Sequence, residues 1–103
     1  MKTFDLELRV ETYGSVITWE ILLEDATNRN RRIRDWMQAD NYRYKKLPHY
    51  IIADDVLTVF AGCQGIIGGT LTCEVLINGV VQPEKLISQV QETEYAKVNY
   101  PVL

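Results

Sequence analysis

One histidine, two cysteines and three prolines are spread over 103 residues, and these scarcities remove whole classes of chemistry. His49 is the only side chain that titrates near neutrality without perturbation, so acid–base catalysis has one candidate and no relay. A lone histidine after Pro48 reads first as a surface or edge residue, and an enzyme or small-molecule binder would need a pocket beside it. Cys63 and Cys73 form no CxxC pair and no Cys/His cluster, which argues against structural zinc. Ser15 and Ser88 lie outside any Gly-x-Ser-x-Gly elbow. The glycine-rich stretch 62–69 lacks Gly-Lys-Ser/Thr and leads into a strand-like run, so it is no phosphate loop. Glu24 with Asp25, and Asp54 with Asp55, are sequence neighbours. Neighbours on a strand face opposite ways, so neither pair makes an acid/base couple, and both are too sparse for a calcium loop. No catalytic residue, metal or cofactor is expected.

Long apolar runs are missing too. Nothing approaches the ~20 residues of a membrane span. Asp5, Glu7 and Arg9 interrupt any apolar signal core after Met1. A cytoplasmic protein is expected if this is the native start, and a cell-envelope or secreted one if a targeting segment has been removed. What is present suffices for one domain: 47% hydrophobic residues, in a size class that buries roughly 65% of its unfolded surface.

The apolar residues alternate, which is the signature of half-buried strands. Phe4, Leu6, Leu8 and Val10 share one face of a first strand, which ends near Gly14. Ile17, Trp19, Ile21 and Leu23 share one face of a second. Between 29 and 36 both helix and strand fit, and a strand pairing back onto its predecessor is preferred. Residues 42–45 and 49–53 extend further, as an outer strand or loop and a strand. Residues 56–61 form a strand that Gly62 ends, and the following glycines turn a hairpin into a strand with Leu71, Cys73, Val75 and Ile77 inward. Asn78 and Gly79 are the strongest short hairpin signal, because both tolerate the positive φ of a type I′ turn. Ala96, Val98 and Tyr100 face inward in a last strand that Pro101 ends.

About seven short strands at such spacing predict an all-β, antiparallel sandwich of one domain over residues 1–103, with Trp19 and Trp36 as the plug between its sheets. Folding the hairpin about Gly68 brings Cys63 opposite Cys73. A disulfide between them is geometrically open, with buried free thiols the favoured reading. The runs 47–50, 56–61 and 69–81, with the closing 95–98, resemble small bacterial immunoglobulin-like β-sandwiches of the cell envelope, such as the soluble domains of MmpS-type transport accessory proteins and small lipoprotein-like domains. The resemblance implies an immunoglobulin-like sandwich without catalytic residues.

Charge is the one asymmetric feature. Residues 29–46 carry Arg29, Arg31, Arg32, Arg34, Arg43, Lys45 and Lys46 against Asp35 and Asp40, a local +5 in a chain of net −3. Trp36, Tyr42 and Tyr44 are interleaved with them. Arg31, Arg34, Trp36, Tyr42, Arg43 and Tyr44 are therefore the candidate binding residues. The plainest account is a solvated cationic face paired with acids elsewhere. The functional account is a binding or assembly module for a protein partner or for its own acidic surface. Nucleic acid or another polyanion, held by phosphate contacts and base stacking, is the weaker alternative.

Overall fold

The computed structural model describes residues 1–102, and all nine strands among them pair antiparallel. They are β1 (Lys2–Tyr13), β2 (Val16–Leu23), β3 (Met37–Gln38), β4 (Arg43–Ile52), β5 (Val56–Gly65), β6 (Thr70–Ile77), β7 (Val80–Val81), β8 (Leu86–Gln89) and β9 (Ala96–Pro101). The larger sheet runs β3-β4-β1-β6-β7, with β8 also on β6, and the smaller runs β2-β5-β9. The two sheets pack as an all-β sandwich. Two strands are only two residues long, which leaves seven of four residues or more, in keeping with the expected count.

Alternation does what the sequence demands of it. Phe4, Leu6, Leu8 and Val10 from β1 and Leu71, Cys73, Val75 and Ile77 from β6 meet Ile21, Leu57, Val59 and Ala61 from the smaller sheet, all buried. Asn78 (φ 50) and Gly79 (φ 79) make the turn between β6 and β7, as expected. Asn78 also ties to β1, donating its N–H to the Asp5 carbonyl at 2.8 Å and accepting the Asp5 N–H at 3.0 Å.

The glycine stretch corrects the sequence reading in two ways. Gly62 does not end β5, which continues to Gly65, because a glycine within a strand can make room for a neighbour. That neighbour is Tyr95: a Cβ on Gly62 would stand 2.8 Å from its ring. Nor do the glycines turn a hairpin. β5 and β6 belong to different sheets, so residues 66–69 are a corner where the chain crosses the sandwich. A second corner, Gly14 and Ser15 between β1 and β2, lies against it. Ile66 donates its N–H to the Ser15 carbonyl at 3.0 Å. A Cβ on Gly65 would overlap that same oxygen, and one on Gly69 would stand 2.5 Å from it. The glycines are a mutual fit of two backbones.

With β5 and β6 in facing sheets, the cysteines are not cross-strand neighbours, and both are free thiols. The expected strand at 29–36 is absent. Residues 29–31 form a 3-10 turn capped by the Asn28 side chain, and the preferred pairing survives as one antiparallel bridge between Leu22 and Arg32. Asp35 (φ 59) then leads the chain off in a left-handed conformation. The tryptophans are also not the central plug. The centre is aliphatic, while Trp19 and Trp36 are half-buried and pack edge to face at 5.0 Å against the core's flank. Ile33 and Trp36, both from the connection after β2, pack with Trp19 against the core.

Candidate functional site

Two clefts meet along β2. The first, about 580 Å³, is lined by Thr18, Trp19, Glu20, Arg32, Gly62, Cys63 and Gln64 on one side and by Ser88 and the 90–95 loop on the other. It exists because β9 pairs with β5 only as far as Ala61, leaving the last four residues of β5 without that neighbour. The second, about 460 Å³, is lined by Ile17, Thr18, Trp19, Ile33, Asp35, Trp36 and the arginines 32, 34 and 43. Thr18, Trp19 and Arg32 border both clefts. The charges are polar along this groove. Glu20, Glu92 and Glu94 outweigh Arg32 in the first cleft, and three arginines outweigh Asp35 in the second.

The basic segment is dispersed by folding. Arg34, Trp36 and Arg43 come together in the second cleft, whereas Tyr42 and Tyr44 lie on the opposite face of β4. There Arg9 covers the Tyr42 ring at 5.5 Å and Lys46 the Tyr44 ring at 6.0 Å. Arg31 stands apart on the 3-10 turn, where its charge reaches Glu24 and Tyr50. Other cations have structural employment. Arg29 grips Glu20 with both terminal nitrogens, at 3.1 and 2.6 Å, and Tyr95 donates its hydroxyl to the same carboxylate. Hydrogen bonding by Arg29, then by Tyr95, holds the Glu20 carboxyl below its usual range. Lys45 donates to the Asp35 carbonyl at 3.4 Å. Arg43 donates to Gln38 at 3.0 Å while its guanidinium sits 6.0 Å from the Trp19 ring centre.

Three cleft residues escaped the sequence reading. In sequence Arg32 is one cation among seven; the bridge to Leu22 and an ion pair with Glu20 fix its place. Trp19 fits the pattern of a central plug and instead lines the groove. Alternation places Ile17 inward, but Val16 pairs with Gly65 and Thr18 with Gln64, so Ile17 is the extra residue of a β-bulge. It is 73% exposed. A bulge leaves no mark in a simple alternation.

His49 lines neither cleft. It is exposed, with φ 54, in a second bulge where Pro48 and His49 together face Asp5, whose carboxylate accepts the His49 N–H at 3.1 Å. That gives it a backbone task. Cys63 reaches the floor of the first cleft, its thiol 3.5 Å from the Ser88 carbonyl, while burial pushes the Cys73 thiol up to about 12. Among the described residues, no three His, Cys, Asp or Glu side chains come together to hold a metal, and no helix is long and apolar enough to cross a membrane. Comparison with family models, curated proteins and solved structures finds no match to this chain.

Proposed function

We propose that the protein is a non-enzymatic binding module that docks a protein partner in the second cleft. The observation that carries this reading is convergence: Arg34, Trp36 and Arg43, distant in sequence from Ile17 and Trp19, border one concavity with them. Arginine and tryptophan are the residue types that anchor interfaces, because each brings large area and directed polar contacts at low conformational cost. The excess of cations favours an acidic partner and speeds its approach. Kinship with immunoglobulin-like envelope domains belongs to the same proposal, supported by the sandwich and the Asn78 turn. A nucleic-acid role is less well served. Trp19 and Trp36 pack on each other and the tyrosines lie across the sheet, so no row of free aromatic faces follows the cations.

Selection of displayed peptides against the immobilised protein tests the reading. Acidic ligands are expected, weakened roughly tenfold or more by Arg34→Ala with Arg43→Ala and indifferent to Tyr44→Ala. Ligands sensitive to Tyr44→Ala alone would move the site to the other face. Oligonucleotide binding that falls steeply with salt would replace the protein partner by a polyanion.

A further inference from the structure

We infer that the partner enters the second cleft as an extended strand of alternating acidic and apolar residues, hydrogen-bonded to the open edge of β2; this rests on the docking reading above. β2 is an edge strand, paired with β5 on one side only. On its other side the chain begins to pair and stops: Arg32 bridges Leu22, the Ile33 N–H reaches the Ile21 carbonyl at 2.9 Å, and the chain departs through Asp35 at φ 59. In an antiparallel ladder each residue sends its N–H and C=O to the same side, and that side alternates along the strand. Because the Ile21 carbonyl faces away from β5, the backbone groups of Trp19 face away as well, toward the cleft that Trp19 lines. The ladder is open where the space is.

The other long edges are guarded. β4 presents Lys45, Lys46, Pro48 and the bulge at His49, and β9 carries Lys97 and ends in Pro101. Lysine, proline and bulges are the devices by which sheet edges refuse a further strand. β2 has neither lysine nor proline, and its bulge lies at Ile17, before the open stretch. The chemistry of the cleft then fixes the occupant. Side chains alternate across an added strand, so one set can cover the exposed Ile17 and the half-buried Trp19 and Trp36, while the other carries the acids that the excess of arginine bordering the cleft favours.

Synthetic hexapeptides alternating glutamate and valine, capped and fluorescently labelled, test this by anisotropy. Wild-type protein should bind them, with affinity falling roughly tenfold or more for the Arg34→Ala, Arg43→Ala variant. Both arginines are exposed, and because Arg43 also bonds Gln38, a circular dichroism spectrum and melt matching wild type accompany the variant. Methylating the peptide nitrogens at one alternate set should cost a similar factor, and methylating the other set little, because only one set faces β2. Binding that needs the arginines but ignores both methylation patterns would overturn strand addition and leave the docking reading standing. Binding that ignores the arginines, or no binding while unrelated displayed ligands still map to the cleft, would overturn the inference. Sedimentation showing that two copies pair through β2, competing with the peptide, would overturn it in favour of a second copy as occupant.

Discussion

The crossing corners at one end of the sandwich and the connection after β2 along its flank solve the same problem, passing chain over a core, by opposite means. At the corners, backbone meets backbone. Gly14 and Ser15 lie against Gly65, Gly68 and Gly69 with no side chain between them, and carbonyl-to-amide bonds from Ser15 to Ile66 and from Gly69 to Val90 close the fit. Residues 25–36, between β2 and β3, instead hold mainly by side chains: Ile33 and Trp36 against the core and Arg29 on Glu20, with one backbone bridge to β2. A backbone fit has no tolerance. A side-chain fit can be eroded one group at a time, and it leaves a cleft where it is incomplete.

The largest effect should come from Gly65→Ala. Its Cβ meets only backbone, that of Ser15 and Val16, so stability should fall by about 3 kcal/mol or more, read as a lower urea midpoint. Gly68→Ala is the matched control. Nothing lies within 4 Å of a Cβ there, so only the cost of φ 103 remains, about 1 kcal/mol. Equal losses at the two positions would remove the close approach as the reason for the glycines.

Trp36→Ala should cost less, about 1–3 kcal/mol, since the ring is half-buried and its loss opens the flank without touching the sheets. Limited proteolysis distinguishes the two regions. Trp36→Ala should expose sites within 29–35 while the remainder stays protected, whereas Gly65→Ala should sensitise the whole domain. Global sensitivity from Trp36→Ala would mean that the connection is as integral as the corners.

The same contrast explains what the sequence made legible. Alternation in β1, β6 and β9 identified the inward residues because both periodicity and burial are local properties of a strand. Asn78 and Gly79 announced their turn because positive φ is a local demand. The glycines from 62 to 69 announced a bend but not its destination, since crossing between sheets depends on Ser15, some fifty residues earlier. The connection was least legible. Whether residues 29–36 pair with β2 depends on Asp35 taking a left-handed conformation and on Trp36 finding Trp19, neither of which alternation records. Of the six candidate binding residues, Arg34, Trp36 and Arg43 share a cleft. Tyr42 and Tyr44 parted from them because β4 puts their set of alternate residues on its far face.

Acid should loosen the flank before it reaches the corners. Glu20 has its carboxyl held below the ordinary value of 4.5, first by the Arg29 hydrogen bond, so its contribution is present above pH 4.5 and is lost as pH falls through the lowered value. Glu20→Gln should therefore lower the melting temperature modestly at neutral pH and match wild type in strong acid. A difference that persists unchanged in acid would mean that shape, and not charge, holds Arg29 and Tyr95 in place.

Glu24 should give the smallest effect and the opposite sign. It sits at φ 72 directly after β2, with one carboxylate oxygen buried and lacking a hydrogen-bond partner. Burial first, and the charge of Asp54 second, raise its carboxyl above 4.5, against the opposing pull of Arg31. The folded state thus holds this proton more tightly than the unfolded chain. The contribution of Glu24 to stability is fully present below pH 4.5 and is lost as pH rises through the raised value. Glu24→Gln keeps the shape and the left-handed backbone while removing the charge. It should stabilise the domain at neutral pH by less than about 1 kcal/mol after solvent screening, with the gain vanishing in acid. Paired thermal melts at pH 4 and pH 7 decide it. A gain equal at both would assign the penalty to the unsatisfied oxygen instead of the charge, and would make the start of the connection a packing defect and not an electrostatic one.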